Sequence, residues 1–184
     1  MKNIVLFGPP GAGKGTQAEI IKQEYDLFHI STGDVFRYNI KNNTQLGLLA
    51  KGFMDKGELV PDQITIDMLS DVVEKNSHVN GFIFDGFPRT ESQANALDSL
   101  LENFNTSISG MIALEVDDEI LISRLLERGK DSGRADDSNR DIIENRITEY
   151  YNKTAILKTY YQRKNCYYDV NGVGEIDEIT SRII

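Results

Sequence analysis

Ile4-Val5-Leu6-Phe7-Gly8-Pro9-Pro10-Gly11-Ala12-Gly13-Lys14-Gly15-Thr16 decides the fold, because in it an apolar run of strand length meets a glycine-rich turn. Ile4 to Phe7 has the pattern of a strand buried on both faces, and Gly8 ends it. A helical stretch from about Lys14 to Glu24 follows. Strand, loop and helix together satisfy the G-x-x-x-x-G-K core of a phosphate-binding loop in the context that motif requires. Pro10, Gly11, Ala12, Gly13, Lys14, Gly15 and Thr16 are therefore candidate phosphate ligands. Glycines let backbone N–H groups converge on phosphate oxygens, the helix N-terminus adds its dipole, and Lys14 supplies a point charge toward the β and γ phosphates. Gly15 stands where such loops carry Ser or Thr, so direct magnesium ligation by that side chain is lost, and Thr16 is the hydroxyl left for phosphate.

Outward from this passage the same form recurs. Phe28-His29-Ile30 reads as a second strand, closed by Ser31-Thr32-Gly33-Asp34, whose hydroxyls suit a helix cap. Residues 35–80 read as helical, punctuated at Gly47, Gly52 and Gly57 and restarted at Val60-Pro61-Asp62, where Pro61 fits a first helical turn. Phe82-Ile83-Phe84-Asp85 repeats the first strand, Glu91 to Leu101 is helix-compatible, and Met111 to Val116 and Tyr167 to Val170 read as further strands. Strands alternating with helices specify an α/β, doubly wound, mostly parallel sheet covered on both faces. Ligands of such sheets sit beyond the carboxyl ends of the strands, which directs attention to the loops after Phe7, Ile30, Asp85 and Val116.

A length of 184 residues suits a single domain, 1–184, with room for small insertions. Hydrophobic residues at 40% and charged residues at 27% exclude a disordered or membrane-spanning chain. A formal net charge of -9 argues against nucleic acid and membrane surfaces as partners, so any anion must be held locally. Cys166, the only cysteine, excludes an internal disulfide and a multi-cysteine zinc site. The apolar run Ile4 to Phe7 is too short for a signal-peptide core, and the expected location is the cytoplasm.

Local positive charge is found in two places. Asp85, at the end of its strand, is placed to hold a magnesium ion through water, and Arg89 in Gly86-Phe87-Pro88-Arg89 could grip a phosphate bidentately. More than half of the arginines fall between 124 and 146, namely Arg124, Arg128, Arg134, Arg140 and Arg146. Phosphoryl transfer needs alignment and positive charge around the moving group, which arginines on a movable segment supply.

Gly8 to Thr16 resembles the phosphate loop of the nucleoside monophosphate kinases. So do Ser31-Thr32-Gly33-Asp34 with Arg37, Gly57-Glu58-Leu59-Val60-Pro61, Asp85 to Arg89 with Gln93, and the arginine segment through Ser132-Gly133-Arg134, Asp136-Asp137 and Arg146. Within that family the sequence is most similar to the adenylate kinases. The resemblance implies a P-loop NTPase fold with a five-stranded sheet, an NMP-binding segment at 31–60 and a short lid at 124–138. It implies reversible transfer of the γ-phosphoryl of MgATP to AMP, giving two ADP, by a monomer. Thr32, Glu58, Leu59, Val60, Gly86, Phe87, Pro88 and Gln93 then surround AMP, with Arg37 and Arg89 on its phosphate. By the same resemblance Arg124 packs on the ATP adenine, backbone near Gly174 meets that base, Arg128 and Arg134 contact phosphates, and Arg146 bridges donor and acceptor phosphates. The short segment between Arg128 and Arg134 implies a lid without zinc. Arg146 lies one residue further from Arg134 than the family pattern places it, and Asn145 occupies the ungapped position.

Other readings are a UMP/CMP kinase, a P-loop nucleotide hydrolase and a non-catalytic nucleotide-binding scaffold. Thr32 opposes the first, since pyrimidine kinases tend to have alanine there, and Gln93 fits an adenine edge. No Asn-Lys-x-Asp for guanine is present, and Gly15 removes the hydroxyl that nucleotide switches use for magnesium. Lys14, Asp85 and the arginines oppose a scaffold. His29 and His78 have no partnering motif and read as packed or surface residues.

Overall fold

The computed structural model describes residues 1–184. Five parallel strands, β1 (Ile4–Phe7), β2 (Phe28–Ser31), β3 (Phe82–Asp85), β4 (Gly110–Glu115) and β5 (Tyr167–Asn171), form one sheet in the order β2-β3-β1-β4-β5. The two-residue period sorts their side chains. Val5, Phe7, Phe82, Phe84, Met111 and Ala113 enter one core, and Ile4, Leu6 and Ile83 enter another. The first core is covered by α4 (Asp62–Lys75), α5 (Glu91–Asn103) and α8 (Leu157–Arg163), through Leu69, Val73, Leu97, Leu101 and Tyr161. Helix α1 (Lys14–Tyr25) covers the second, and α6 (Asp118–Ser132), α7 (Arg140–Glu149) and α9 (Ile176–Ile183) close the same face around Leu121, Leu125, Ile143 and Ile179. Burying both faces of the sheet is what makes its strands continuously apolar.

After β2 the chain runs into α2 (Thr32–Lys41) and α3 (Gln45–Met54), which pack with Val60 and Met68 around a small separate core of Phe36 and Ala50. Gly47 and Gly52, expected as breaks, lie inside α3. A Cβ on Gly47 would come within 2.2 Å of the Asn39 backbone, so this glycine allows α2 and α3 to touch rather than ending a helix. The true breaks are Asn42–Thr44, with Thr44 capping α3, and the turn through Gly57. Helices α7, α8 and α9 had no clear sequence signal, and a five-residue π turn, Tyr150–Thr154, joins α7 to α8.

The sheet order changes direction at β1, between β3 and β4, and a cleft of about 850 Å³ opens beyond the carboxyl ends of the strands there. The loop after β4 takes no part in it. Gly174 and Ile176, after β5, border the cleft in place of the expected Val116 loop.

Candidate active site

The loop Gly8–Gly13 bends back on itself, with Ala12 N–H bonded to Pro9 O at 3.2 Å, and delivers the chain to the α1 N-terminus. Gly8 and Gly13 have φ of 139° and 96°, and a Cβ on Gly8 would lie 2.7 Å from Leu114 O, so only glycine is accommodated there. Gly13 caps α1 without any side-chain bond, and the first helical bond runs from Gln17 N–H to Gly13 O. The preceding N–H groups are left for a ligand, at the positive end of the helix. Lys14 Nζ donates to Gly8 O at 2.8 Å and Pro9 O at 2.9 Å, which leaves one of its three protons free. Burial, together with Arg89, Arg146 and Arg128, outweighs the Asp85 carboxylate and lowers the Lys14 pKa to about 8.

Asp85 ends β3 directly across from this loop. Burial works against its charge, but His29 and Lys14 hold its carboxyl below the usual range. His29, which sequence reasoning set aside, borders the cleft between two carboxylates, with Nδ1 3.0 Å from Glu19 Oε1 and Nε2 3.5 Å from Asp85 Oδ2. Burial opposes its protonation, and these two carboxylates overcome it to raise its pKa. Its parallel register with β3 puts it there, and no local motif records that.

Behind Asp85 the chain turns at Gly86, whose φ is 77° and whose Cβ would meet Arg89 Nη2 and Thr32 Oγ1, each at 2.9 Å. Arg89 Nε donates to Gly86 O at 2.7 Å, and Thr32 Oγ1 donates to the same carbonyl at 2.9 Å. The Arg89 backbone is bonded at both ends, N–H to Gln93 Oε1 at 2.8 Å and C=O from Thr154 Oγ1 at 2.8 Å. Burial and the nearby Arg146 pull the Arg89 pKa down to about 10. Gln93 borders the cleft, but its amide is already engaged by Arg89 N–H and Asp62.

The segment 124–146 brings its arginines to the opposite wall through carboxylates that lie in the resembling stretches but have no role legible in the sequence. Fully buried Asp137 accepts from Arg128 at 2.6 and 3.1 Å and from Arg146 at 2.6 Å. Burial disfavours its charge, yet these arginines hold its pKa low. Asp34 receives Arg37 at 2.5 Å and Arg134 at 3.2 Å, joining the two rims of the cleft. Arg124 is bonded to Gly172 O at 3.1 Å, beside the Gly174 turn. Arg146, not Asn145, faces the cleft. Asn145 instead donates to Lys56 O at 2.7 Å, and a Cβ on Gly57 would lie 2.9 Å from Arg146 Cγ, so packing against this turn sets the register. Arg140 is paired with Glu144 outside the cleft.

Apart from Arg140, every candidate residue read from the sequence thus borders one cleft, from Pro10 to Thr16 at its floor, past Glu58, Leu59, Val60, Phe87 and Pro88 on one side, to Arg124 and Gly174 on the other. No helix is long and apolar enough to cross a membrane.

The adenylate kinase family model matches residues 6–166. The chain is 60% identical over 183 residues to the adenylate kinase of Flavobacterium psychrophilum, covering 100% of this chain and 96% of that relative. It is 57% identical to that of Flavobacterium johnsoniae over the same shares. With the adenylate kinase of Parabacteroides distasonis it shares 50% identity, again over 100% of this chain and 96% of the relative.

Proposed function

The chain belongs to the adenylate kinase family and transfers phosphate between ATP and AMP, and from that premise we propose how its own residues divide the work. One observation carries the assignment: the phosphate loop, Asp85 and the arginines of both rims face a single cleft at the strand-order reversal. ATP phosphates occupy the loop of Pro10 to Thr16 and the N–H groups at the start of α1, with Lys14 turning its ammonium from the loop carbonyls toward the β and γ phosphates. Arg124 packs on the ATP base beside the Gly174 turn. AMP lies against Thr32, Glu58–Val60, Gly86–Pro88 and Gln93, its phosphate held by Arg37 and Arg89. The Thr32 hydroxyl proton is engaged by Gly86 O, which leaves lone pairs that suit an exocyclic amine.

In transfer, an AMP phosphate oxygen forms the new bond to the γ phosphorus. The bond to the β,γ-bridging oxygen breaks with its electron pair going to ADP. The attacking oxygen is already ionised, so no general base is required. What the chain contributes is alignment and charge, with Arg128, Arg134 and Arg146 around the moving group and Arg146 between donor and acceptor. Residues 31–60 and 124–138 act as the AMP-binding segment and short lid of a single kinase domain, closing to exclude water. The divalent metal that accompanies ATP in this family is assigned as Mg²⁺. Asp85, held ionised beside the phosphate loop with Oδ2 only 3.6 Å from where a Cβ on Gly15 would stand, is a hard oxygen donor facing the cleft and would hold the ion through water. The ion neutralises charge on the phosphates. The lid is read as free of zinc, because the only cysteine lies apart at the start of β5. We also assign a cytoplasmic monomer with no nucleic-acid or membrane partner, on the acidic surface and the self-contained cleft.

The test is a coupled assay of ADP formation from MgATP with AMP, UMP, CMP or water, on wild type and Lys14→Ala. ADP with AMP alone, lost in the variant, is the expected result. ADP formed equally well with UMP or with water removes the assignment.

A further inference from the structure

Gln93 can present its amide to a purine in two ways, and the two select opposite bases. The 6-amino purine edge of AMP offers a donor and an acceptor, and the 6-oxo edge of IMP offers them interchanged. A glutamine free to rotate its amide by half a turn would serve both. Gln93 is almost fully buried at the cleft wall, and its amide is held at each end by a group with a single hydrogen-bonding character. Oε1 accepts from Arg89 N–H at 2.8 Å, and a backbone N–H can only donate. Nε2 donates to Asp62 Oδ1 at 2.8 Å, and a carboxylate can only accept. Turning the amide over would face donor to donor at Arg89 and acceptor to acceptor at Asp62.

We propose that Asp62 is a positioning residue that sets the orientation of the Gln93 amide and thereby the preference of the acceptor site for a 6-amino over a 6-oxo purine. The inference rests on the reading that Gln93 meets the acceptor base. Asp62 itself opens α4 immediately after the Val60-Pro61 turn, and its second oxygen accepts from Thr90 Oγ1 at 2.8 Å. Thr90 in turn caps α5 by accepting from Gln93 N–H at 3.2 Å. Carboxylate, cap and amide therefore form one closed set, in which each Asp62 oxygen accepts from one partner, Oδ1 from Gln93 and Oδ2 from Thr90. One N–H and one carbonyl lone pair of Gln93 remain for a base.

The experiment is initial-rate kinetics of ADP formation at saturating MgATP, with AMP and with IMP as acceptors, on wild type, Asp62→Ala, Asp62→Asn and Gln93→Leu. The readout is the ratio of kcat/KM for AMP to that for IMP. Removing one of the two orienting contacts in Asp62→Ala lowers the ratio about tenfold, while KM for ATP stays within about twofold of wild type. Asp62→Asn recovers only part of the ratio, because its single oxygen is shared between the Gln93 Nε2 and Thr90 Oγ1 donors and its NH2 can face Gln93 instead; a purely structural role would not be separated in this way. An unchanged ratio in Asp62→Ala overturns the proposal, and so does an equal loss in both Asp62 variants. If Gln93→Leu keeps the wild-type ratio, the placement of Gln93 at the base is what fails. If Gln93→Leu loses the ratio and Asp62→Ala keeps it, only the role of Asp62 is wrong.

Discussion

Replacing Arg89 with methionine should make the nucleotide-free protein more stable while destroying its activity. In the empty cleft this guanidinium is buried beside Arg146 and Arg37, and its pKa falls from 12.5 to about 10. A displacement of about 2.5 units corresponds to about 3 kcal/mol by which folding disfavours the charged form at neutral pH. Methionine removes that charge at similar length. The variant gives up the bond from Nε to Gly86 O, about 1 kcal/mol, but Thr32 Oγ1 still donates to that carbonyl, so no acceptor is stranded. The balance is a gain of about 2 kcal/mol, which for a chain of this size raises Tm by about 4–8 °C. Thermal melts followed by circular dichroism, without nucleotide and at low ionic strength, read it directly. Added salt should raise Tm of the wild type more than that of Arg89→Met, because screening relieves the same repulsion. A variant melting at or below wild type refutes the view that Arg89 carries uncompensated positive charge in the nucleotide-free protein.

Other perturbations follow from the same geometry. Lys14 is charged below its pKa of about 8, so kcat/KM for ATP, which reports the free enzyme, should fall as pH rises through 8; kcat should hold to higher pH, because bound phosphates favour the ammonium. Asp137→Ala should lower kcat by about 10²-fold by leaving Arg128 and Arg146 without their common acceptor, measured in the ADP assay. Gly57→Ala places a Cβ at φ 74° and 2.9 Å from Ile142 O, so urea unfolding should show a loss of about 1–2 kcal/mol. Chelation by EDTA should abolish ADP formation and leave the far-ultraviolet circular dichroism spectrum unchanged, since no three His, Cys, Asp or Glu side chains stand together to form a structural metal site.

The parts of this molecule that the sequence declared are those whose chemistry is local. Gly8 to Thr16 carries its strand, turn and helix within one short stretch, and Asp85 stands at the end of an unmistakable apolar run. Asp34, Asp136 and Asp137 stand in stretches that carry the resemblance, but their pairing with the arginines was not legible, because Asp136 and Asp137 look like any surface acid until the fold buries them and Asp34 meets Arg134 only across the cleft. The choice between Asn145 and Arg146 depends on how α7 packs on the Gly57 turn, a contact across many residues. Gly47 shows the converse error. A glycine reads as a break along the chain, but here it is a point of close approach between helices. His29 faces Asp85 through strand register, which no spacing rule along the chain encodes.

The acids seated on the cleft arginines have a consequence for how nucleotides leave. Asp34 and Asp137 already pair with Arg37, Arg134, Arg128 and Arg146, the guanidinium groups to which we propose phosphates bind. At those four arginines an arriving phosphate would therefore exchange with a resident anion, and a departing one would be replaced by it, whereas Arg89 has no carboxylate within ion-pair distance. Tethered counterions of this kind flatten the difference in free energy between the occupied and vacant states. They favour a catalyst that empties readily over one that binds its nucleotides as tightly as its positive charge would permit.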